Sequence, residues 1–363
     1  MQIGIVGLPL SGKTTVFNAL TRGHAIVAGY SDKPNIGVAK VPDHRLHELA
    51  KMYSPERVVP AEVSYVDIPS PQDGFGQTRG ISGDYLNALQ SIDALLVITR
   101  AFDNPSVTHV DESVDAIRDV ENMLLELSFS DLSLLERRLD RVVEAFKSAK
   151  AAERSELTKE QALLEHVKGN LEAGVAVRDQ NLPPEASHRL SGFQFLTAKP
   201  TIVVVNISED QLPEAGSFQN QLAEIATGPQ MRATVIAGKL EMDLAQMEEG
   251  DEKEFRHSLN AGESGLNRMI ALSYDVVGLI SFLTVGEDEV RAWQIIDGTI
   301  AHKAAGKIHT DLERGFIRAE VVTYENLIDC GSLAEARSRG VLQQEGKEYI
   351  VNDGDIMHVL FNV

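Results

Sequence analysis

Residues 7–14 read Gly-Leu-Pro-Leu-Ser-Gly-Lys-Thr, directly behind the short apolar run Gln2–Val6. No other feature narrows the possible folds as much. An apolar run of that length bounded by glycine reads as a buried parallel strand. Behind the loop, Thr14–Thr21 sets Val16, Phe17 and Leu20 at helical spacing. Strand, glycine loop and helix is the setting in which G-x-x-x-x-G-K-[ST] encloses a polyphosphate. Gly7 and Gly12 let backbone N–H groups turn inward, and the helix start adds its dipole. Lys13 brings a point charge to the β- and γ-phosphates, the role of a catalytic residue, and the Thr14 hydroxyl is a ligand for Mg²⁺. Gly7, Leu8, Pro9, Leu10, Ser11, Gly12, Lys13 and Thr14 are therefore the expected phosphate-binding residues.

Such a loop needs a carboxylate at the end of another strand to hold the metal. Asp67, closing Val63-Ser64-Tyr65-Val66-Asp67-Ile68, is the candidate, with a capping aspartate as the alternative. Recognition of the base belongs on a loop after a later strand. Thr201–Val205 runs into Asn206-Ile207-Ser208-Glu209, where GTPases carry N-K-x-D. A short Asp there pairs with the guanine edge; Glu209 is one methylene longer, and position 207 holds no Lys. Adenine therefore competes with guanine as the base, and a plain turn is the other reading of this segment.

Further strands are expected at Ala61–Ile68, Ala94–Thr99, Thr201–Val205 and Ala233–Ile236, with helices between them, which implies βαβ units and a parallel sheet. Leu132, Leu135, Leu139, Val142 and Phe146 step by three or four, and Leu163, Leu164, Val167 and Leu171 resume the pattern after a polar stretch at 151–158. Two helices joined by a polar turn predict an antiparallel hairpin inserted in the sheet domain. After about Gly278 come the strand candidates Leu279–Val285, Ala292–Ile296, Arg318–Val322 and Met357–Phe361, and a helix near Leu333–Arg339. The expected division is a nucleotide domain at 1–128 and 198–277, the hairpin at 129–197, and a small α+β domain at 278–363.

The net charge of −20 excludes a surface that wraps nucleic acid as a whole, since phosphate binding needs clustered Lys and Arg. It leaves room for an island such as Arg291, Lys303, Lys307, Arg314 and Arg318. Trp293 reads as a core residue of the last domain rather than a stacking platform. The single cysteine, Cys330, excludes an intramolecular disulfide and a Cys-based metal site. With no secretion-signal pattern and no apolar stretch of about 18 residues, a cytoplasmic chain with no membrane contact is expected.

With these loops in order, the chain resembles the YchF/Obg-like ATPase family of P-loop proteins. The resemblance is carried by Gly7–Thr15, Pro34-Asn35-Ile36-Gly37-Val38, Val41-Pro42-Asp43, Thr197-Ala198-Lys199-Pro200 and Asn206 to Glu209. The C-terminal part adds Phe282-Leu-Thr-Val-Gly-Glu, Val290-Arg-Ala-Trp293, Ala304-Ala-Gly306, Ile308-His309, Gly315-Phe-Ile-Arg-Ala-Glu320 and Phe361-Asn-Val363. It implies a P-loop α/β sheet (G-domain), an inserted helical hairpin and a C-terminal TGS domain of β-grasp type. It also implies Mg²⁺-dependent hydrolysis of ATP in preference to GTP, association with ribosomes or RNA through hairpin and TGS domain, and a monomer. Carried onto this chain, the nucleotide ligands extend to Thr15, Asn206, Ile207 and Glu209. Ala237-Gly238-Lys239-Leu240-Glu241, near the family's C-A-K-x-E, adds Gly238 and Lys239. Two segments depart from the family. The switch after the phosphate loop is shortened to Tyr30-Ser31-Asp32-Lys33, with Ser31 the only stand-in for the expected Thr. The usual D-x-x-G reads Asp67-Ile68-Pro69-Ser70. Slow hydrolysis is the expectation; a nucleotide-gated binding module with negligible turnover is the alternative.

Overall fold

The computed structural model describes residues 1–23, 34–69, 81, 83–104 and 113–362. Along the chain run β1 (Gln2–Val6), α1 (Lys13–Thr21), β2 (Asn35–Lys40), α2 (His44–Tyr53), β3 (Arg57–Val59) and β4 (Glu62–Asp67). Next come α3 (Gly83–Ser91), β5 (Ala94–Arg100), α4 (Ala116–Ser148), α5 (Ala151–Glu172), α6 (Pro184–Leu190) and β6 (Thr201–Asn206). They are followed by α7 (Ala215–Ile225), β7 (Met231–Ile236), α8 (Gly238–Leu244), α9 (Glu249–Ser258) and α10 (Gly265–Val276). The last part holds β8 (Leu279–Thr284), β9 (Glu289–Ile296), α11 (Ala301–Ile308), β10 (Phe316–Thr323), β11 (Gln343–Glu345) and β12 (Asp355–Phe361). The chain packs as two units, residues 1–37 with 64–266 and residues 38–63 with 267–363.

The first unit is built on a six-stranded sheet of order β2-β4-β1-β5-β6-β7, in which β4, β1, β5, β6 and β7 run parallel. All residues of β5 and β6 are buried. Parallel strands covered on both faces read as continuous apolar runs, and Ala-Leu-Leu-Val-Ile and Ile-Val-Val-Val are of that kind. Helical crossovers leave the C-terminal strand ends on one edge, where ligands bind in such sheets.

One long helix serves two cores. Ala116, Val120, Met123 and Leu127 of α4 pack on the sheet, whereas Leu135 and Val142 pack with Leu164, Val167 and Leu171 of α5. The expected hairpin is present, but its turn is not at 151–158. It is confined to Ala149 and Lys150, because α5 begins at Ala151 and the polar stretch is its exposed first turns. Ala and Glu are good helix formers, and polarity without Gly or Pro does not break a helix. The expected boundary at 128/129 likewise falls inside α4.

The second unit holds a mixed sheet of order β11-β10-β12-β8-β9-β3. β8 and β9 are antiparallel, β8 and β12 parallel, and β12, β10 and β11 antiparallel. Ala301, Ala304 and Ala305 of α11 pack with Phe282, Phe316, Ala319 and Met357 under this sheet, the β-grasp arrangement. Its sixth strand comes from far away in sequence: Arg57–Val59 pair in parallel with Glu289–Arg291. The unit thus reaches beyond the expected 278–363. A three-residue, mostly exposed strand has no pattern of its own to announce it. Among the described residues no helix is long and apolar enough to cross a membrane.

Candidate nucleotide-binding site

The phosphate loop joins β1 to α1 at the C-terminal edge of the parallel sheet. Ser11 N donates to Leu8 O at 3.3 Å, and Val16 N donates to Gly12 O at 3.0 Å as the helix starts. Two glycines are required by space. A Cβ on Gly7 would lie 2.2 Å from the main-chain oxygen of Ile98, and one on Gly12 would lie 2.3 Å from Asn206 Nδ2. Gly12 also has φ of 89°, a left-handed conformation that glycine adopts without cost. Leu8 is buried in the core with Val6 and Val66, so it offers a ligand only its backbone. Pro9 and Thr15 are half-buried, and Leu10 projects outward. The Ser11 hydroxyl is buried with no hydrogen-bond partner, an orphan polar atom of the kind a bound group satisfies.

Lys13 is 8% exposed and its Nζ donates to the loop carbonyls of Gly7, at 3.1 Å, and Leu8, at 2.8 Å. Burial pushes its ammonium down to about 8, against the pull of the Asp67 charge. Thr14 donates its hydroxyl to Asp67 Oδ2 at 2.8 Å. Parallel pairing of Ile5 with Asp67 sets that carboxylate beside the loop. A hydroxyl and a carboxylate, both hard oxygen donors held together beside the lysine, fit Mg²⁺. Tyr85 on α3 also senses this carboxylate: its hydroxyl is pushed up by burial and then by Asp67.

The segment after β6 is tied to the phosphate loop. Asn206 Nδ2 donates to Ser11 O at 3.1 Å, and Asn206 Oδ1 accepts from Gly238 N at 2.9 Å. The Asn206 side chain is thus a tether between two loops. Ile207 is 2% exposed in the core with Val203, Val235 and Leu240, leaving only its backbone for a ligand. Glu209 is exposed at the start of a 3₁₀ turn, and Lys239 is exposed and paired with Asp243 at 2.7 Å. Gln211 fastens this turn to the end of β5, donating to Ala101 O at 2.9 Å. Glu241 does not face outward. Its carboxylate takes both Nη groups of Arg256, at 2.9 and 2.6 Å, and the N–H of Gly265, at 2.8 Å. The first turn of α8 is thereby anchored to the start of α10.

The shortened switch, with Ser31, and the continuation of Asp67-Ile68-Pro69 at Ser70 lie outside the described residues. Sequence reasoning passed over Arg100, a buried arginine at the end of β5 opposite Asn206. Its only signal was a basic residue closing an otherwise apolar strand.

Residues 2–129 match the family described as 50S ribosome-binding GTPase, and residues 279–362 match YchF-GTPase_C, described as a protein of unknown function (DUF933). The chain is 37% identical over 368 residues to the ribosome-binding ATPase YchF of Bacillus subtilis, with 100% of both chains covered. It is 36% identical to the protein of that name in Escherichia coli O157:H7, covering 100% of this chain and 99% of the relative. The solved structure of the Schizosaccharomyces pombe YchF GTPase superposes with a TM-score of 0.86 at 31% identity, covering 99% of this chain and 97% of that one. A P-loop site on this sheet and full-length likeness at both ends of the chain lead to one assignment: the chain belongs to the YchF family.

Proposed function

We propose that the chain is a slow, Mg²⁺-dependent ATPase, using ATP in preference to GTP, that works in the cytoplasm as a ribosome-associated factor. The observation that carries the reading is the cluster of Lys13, Thr14 and Asp67 at the mouth of the phosphate loop. In it, the loop amides and Lys13 hold the β- and γ-phosphates, and charge developing on the transferred phosphoryl group meets donors already in place. Thr14 and Asp67 would hold Mg²⁺, which supplies charge neutralisation on the polyphosphate. Asn206 keeps the phosphate loop and the start of α8 at fixed separation, so that the backbone around Ile207 and Gly238 lies beside the base. The preference for ATP is supported by Glu209, too long for the guanine pairing of a short Asp. Among the described residues no side chain is placed to orient an attacking water, which accords with slow turnover.

The ribosomal role is supported by the names of the relatives. The chain would act as a monomer and touch the ribosome through α4–α5 and the β-grasp unit, where Arg137, Arg141 and Lys147 of α4 are exposed. A second reading, a nucleotide-gated binding module without useful hydrolysis, is favoured by Pro69 following Asp67, because a proline-stiffened turn meets the γ-phosphate less readily. Calorimetry with ATP, GTP and their diphosphates, followed by phosphate release with and without ribosomes, tests both. Mg²⁺-dependent release that ribosomes accelerate is expected. Tight ATP binding with no release in either condition selects the binding module, and GTP bound far more tightly than ATP overturns the base preference.

A further inference from the structure

Arg100 ends β5 and is 3% exposed. β5 and β6 pair in parallel with Arg100 opposite Asn206. Side chains opposite one another in register share a face of the sheet. Arg100 therefore emerges on the face from which Asn206 reaches Ser11 O of the phosphate loop. Two residues earlier on β5, the Ile98 main-chain oxygen is what forbids a side chain at Gly7.

For all this burial, the guanidinium is poorly served. It lies 5.7 Å from the centroid of the Phe102 ring, and its Nε is buried with no hydrogen-bond partner. Among the described residues no carboxylate or carbonyl accepts from it. A guanidinium carries five N–H donors and a charge it does not give up. Elsewhere in this chain Arg256 has Glu241 and Glu252. Arg178, whose own Nε is also without a hydrogen bond, still donates through Nη1 to the Thr197 and Lys199 carbonyls and lies 3.7 Å from the Asp179 carboxylate. A buried cation with no counter-charge among the described residues is costly unless a further group supplies the acceptors, and a bound ligand can do so.

We infer that Arg100 is a nucleotide-contacting residue, its guanidinium donating to acceptor atoms of the base or ribose, which rests on the nucleotide site proposed above. The nucleoside end is the better match because Asn206, its register partner, leads straight into the segment Ile207–Glu209. The phosphate end already has Lys13 and the loop amides. Arg100 is 3% exposed, and at so buried a residue a hydrogen bond counts for more than at an exposed site.

Competition binding on the full chain, with ATP, GTP and inorganic tripolyphosphate as probes, tests this. Arg100→Met is expected to weaken ATP and GTP by about tenfold or more while tripolyphosphate stays within about twofold, the loss of a charge-assisted bond confined to the nucleoside. Arg100→Lys, which keeps charge and length but not the fork, should fall between. A general loosening of the fold would weaken all three probes together, so parallel losses overturn the inference, as does unchanged ATP affinity. If Arg100→Met does not fold, the same ratio is read from Arg100→Lys alone, whose ATP-to-tripolyphosphate ratio must drop. An unmodified chain that binds ATP no more tightly than tripolyphosphate sinks the base-loop reading and Arg100 with it. An unmodified chain that discriminates, with a variant that discriminates equally, sinks Arg100 only.

Discussion

The two ends of β6 carry two polar clusters of opposite character. At the N-terminal end, Asp131 of α4 accepts from Leu196 N, Thr197 N and the Thr197 hydroxyl, all at 2.7 to 2.8 Å. Nearby, Lys199 donates to the carbonyls of Gln90 and Ile92, and Arg178 to those of Thr197 and Lys199. The partners there are mainly backbone, and the cluster fastens the helical pair to the sheet. At the C-terminal end, Asn206 also ties backbone together, yet beside it the Ser11 hydroxyl and Arg100 Nε have no partner. Arg178 Nε is without a hydrogen bond too, but Nη1 of the same guanidinium ends on backbone carbonyls and Asp179 stands 3.7 Å away. Such a group serves the fold, whereas a buried polar side chain with no such partners marks where a ligand fits. Thr197-Ala198-Lys199-Pro200, one of the stretches that carry the family resemblance, is by this measure architecture.

The contrast predicts opposite outcomes for two single substitutions. Asp131→Ala removes a buried acceptor of three hydrogen bonds and should destabilise the fold by about 3 kcal/mol, read by chemical denaturation. Its nucleotide affinity should stay within about twofold of the parent. Lys13→Ala should do the reverse, weakening ATP binding by about a hundredfold in calorimetry, since a charge on the polyphosphate is lost. Its melting temperature should not fall, because the lysine it removes is held buried with its ammonium pushed down. If Asp131→Ala cost as much in binding as in stability, the two ends of β6 would be coupled and the distinction between them would collapse.

A pH series sharpens the same contrast. In the ligand-free fold Lys13 titrates at about 8, below its ordinary 10.5. Phosphate oxygens raise it again, so binding takes up a proton once the pH passes about 8. Affinity for ATP should therefore be flat below that point and fall above it, by up to about tenfold per pH unit. Stability of the ligand-free chain has the other sign. Between about 8 and 10.5 the unfolded state binds the proton that the folded state has lost, so this group's contribution grows more favourable as pH rises. Binding isotherms and melts from pH 7 to 10 should show these opposed slopes, and Lys13→Met should lose both.

How much of this could be read beforehand follows from where each pattern is stored. The phosphate loop, β1, β5 and β6 are local: Gly7 and Gly12, a lysine, and unbroken apolar runs announce themselves within ten residues. The helical pair was legible as two periodic stripes, but not that α4 continues back to Ala116. Its stripe changes partner from sheet to α5 while the periodicity continues. The role of Asn206 was hidden because its side chain serves Ser11, 195 positions away, and no local rule encodes that separation. Ile207 could be identified as the residue standing where GTPases carry lysine, yet only packing shows it committed to the core. β3 and Arg100 share one reason for escaping notice. Each gains its meaning solely from the strand beside it.

The smallest effect concerns the loop itself. Leu10 has φ of 63°, a left-handed conformation, while its side chain is 56% exposed. A residue with a Cβ is disfavoured there by about 1 kcal/mol, and little packing offsets it. The turn from Leu8 to Ser11, closed by Ser11 N on Leu8 O, leaves the backbone no alternative if Gly12 is to start the helix. Asparagine tolerates this region far better than leucine. Leu10→Asn should therefore stabilise the ligand-free chain by up to about 1 kcal/mol, seen as a modest rise in denaturation midpoint, whereas Leu10→Ala, with the same backbone conflict, should give no gain. If alanine stabilised as much as asparagine, exposure of the apolar side chain rather than the backbone would be the cause. The phosphate loop would then carry no strain, and only its unspent donors would set it apart from the other end of β6.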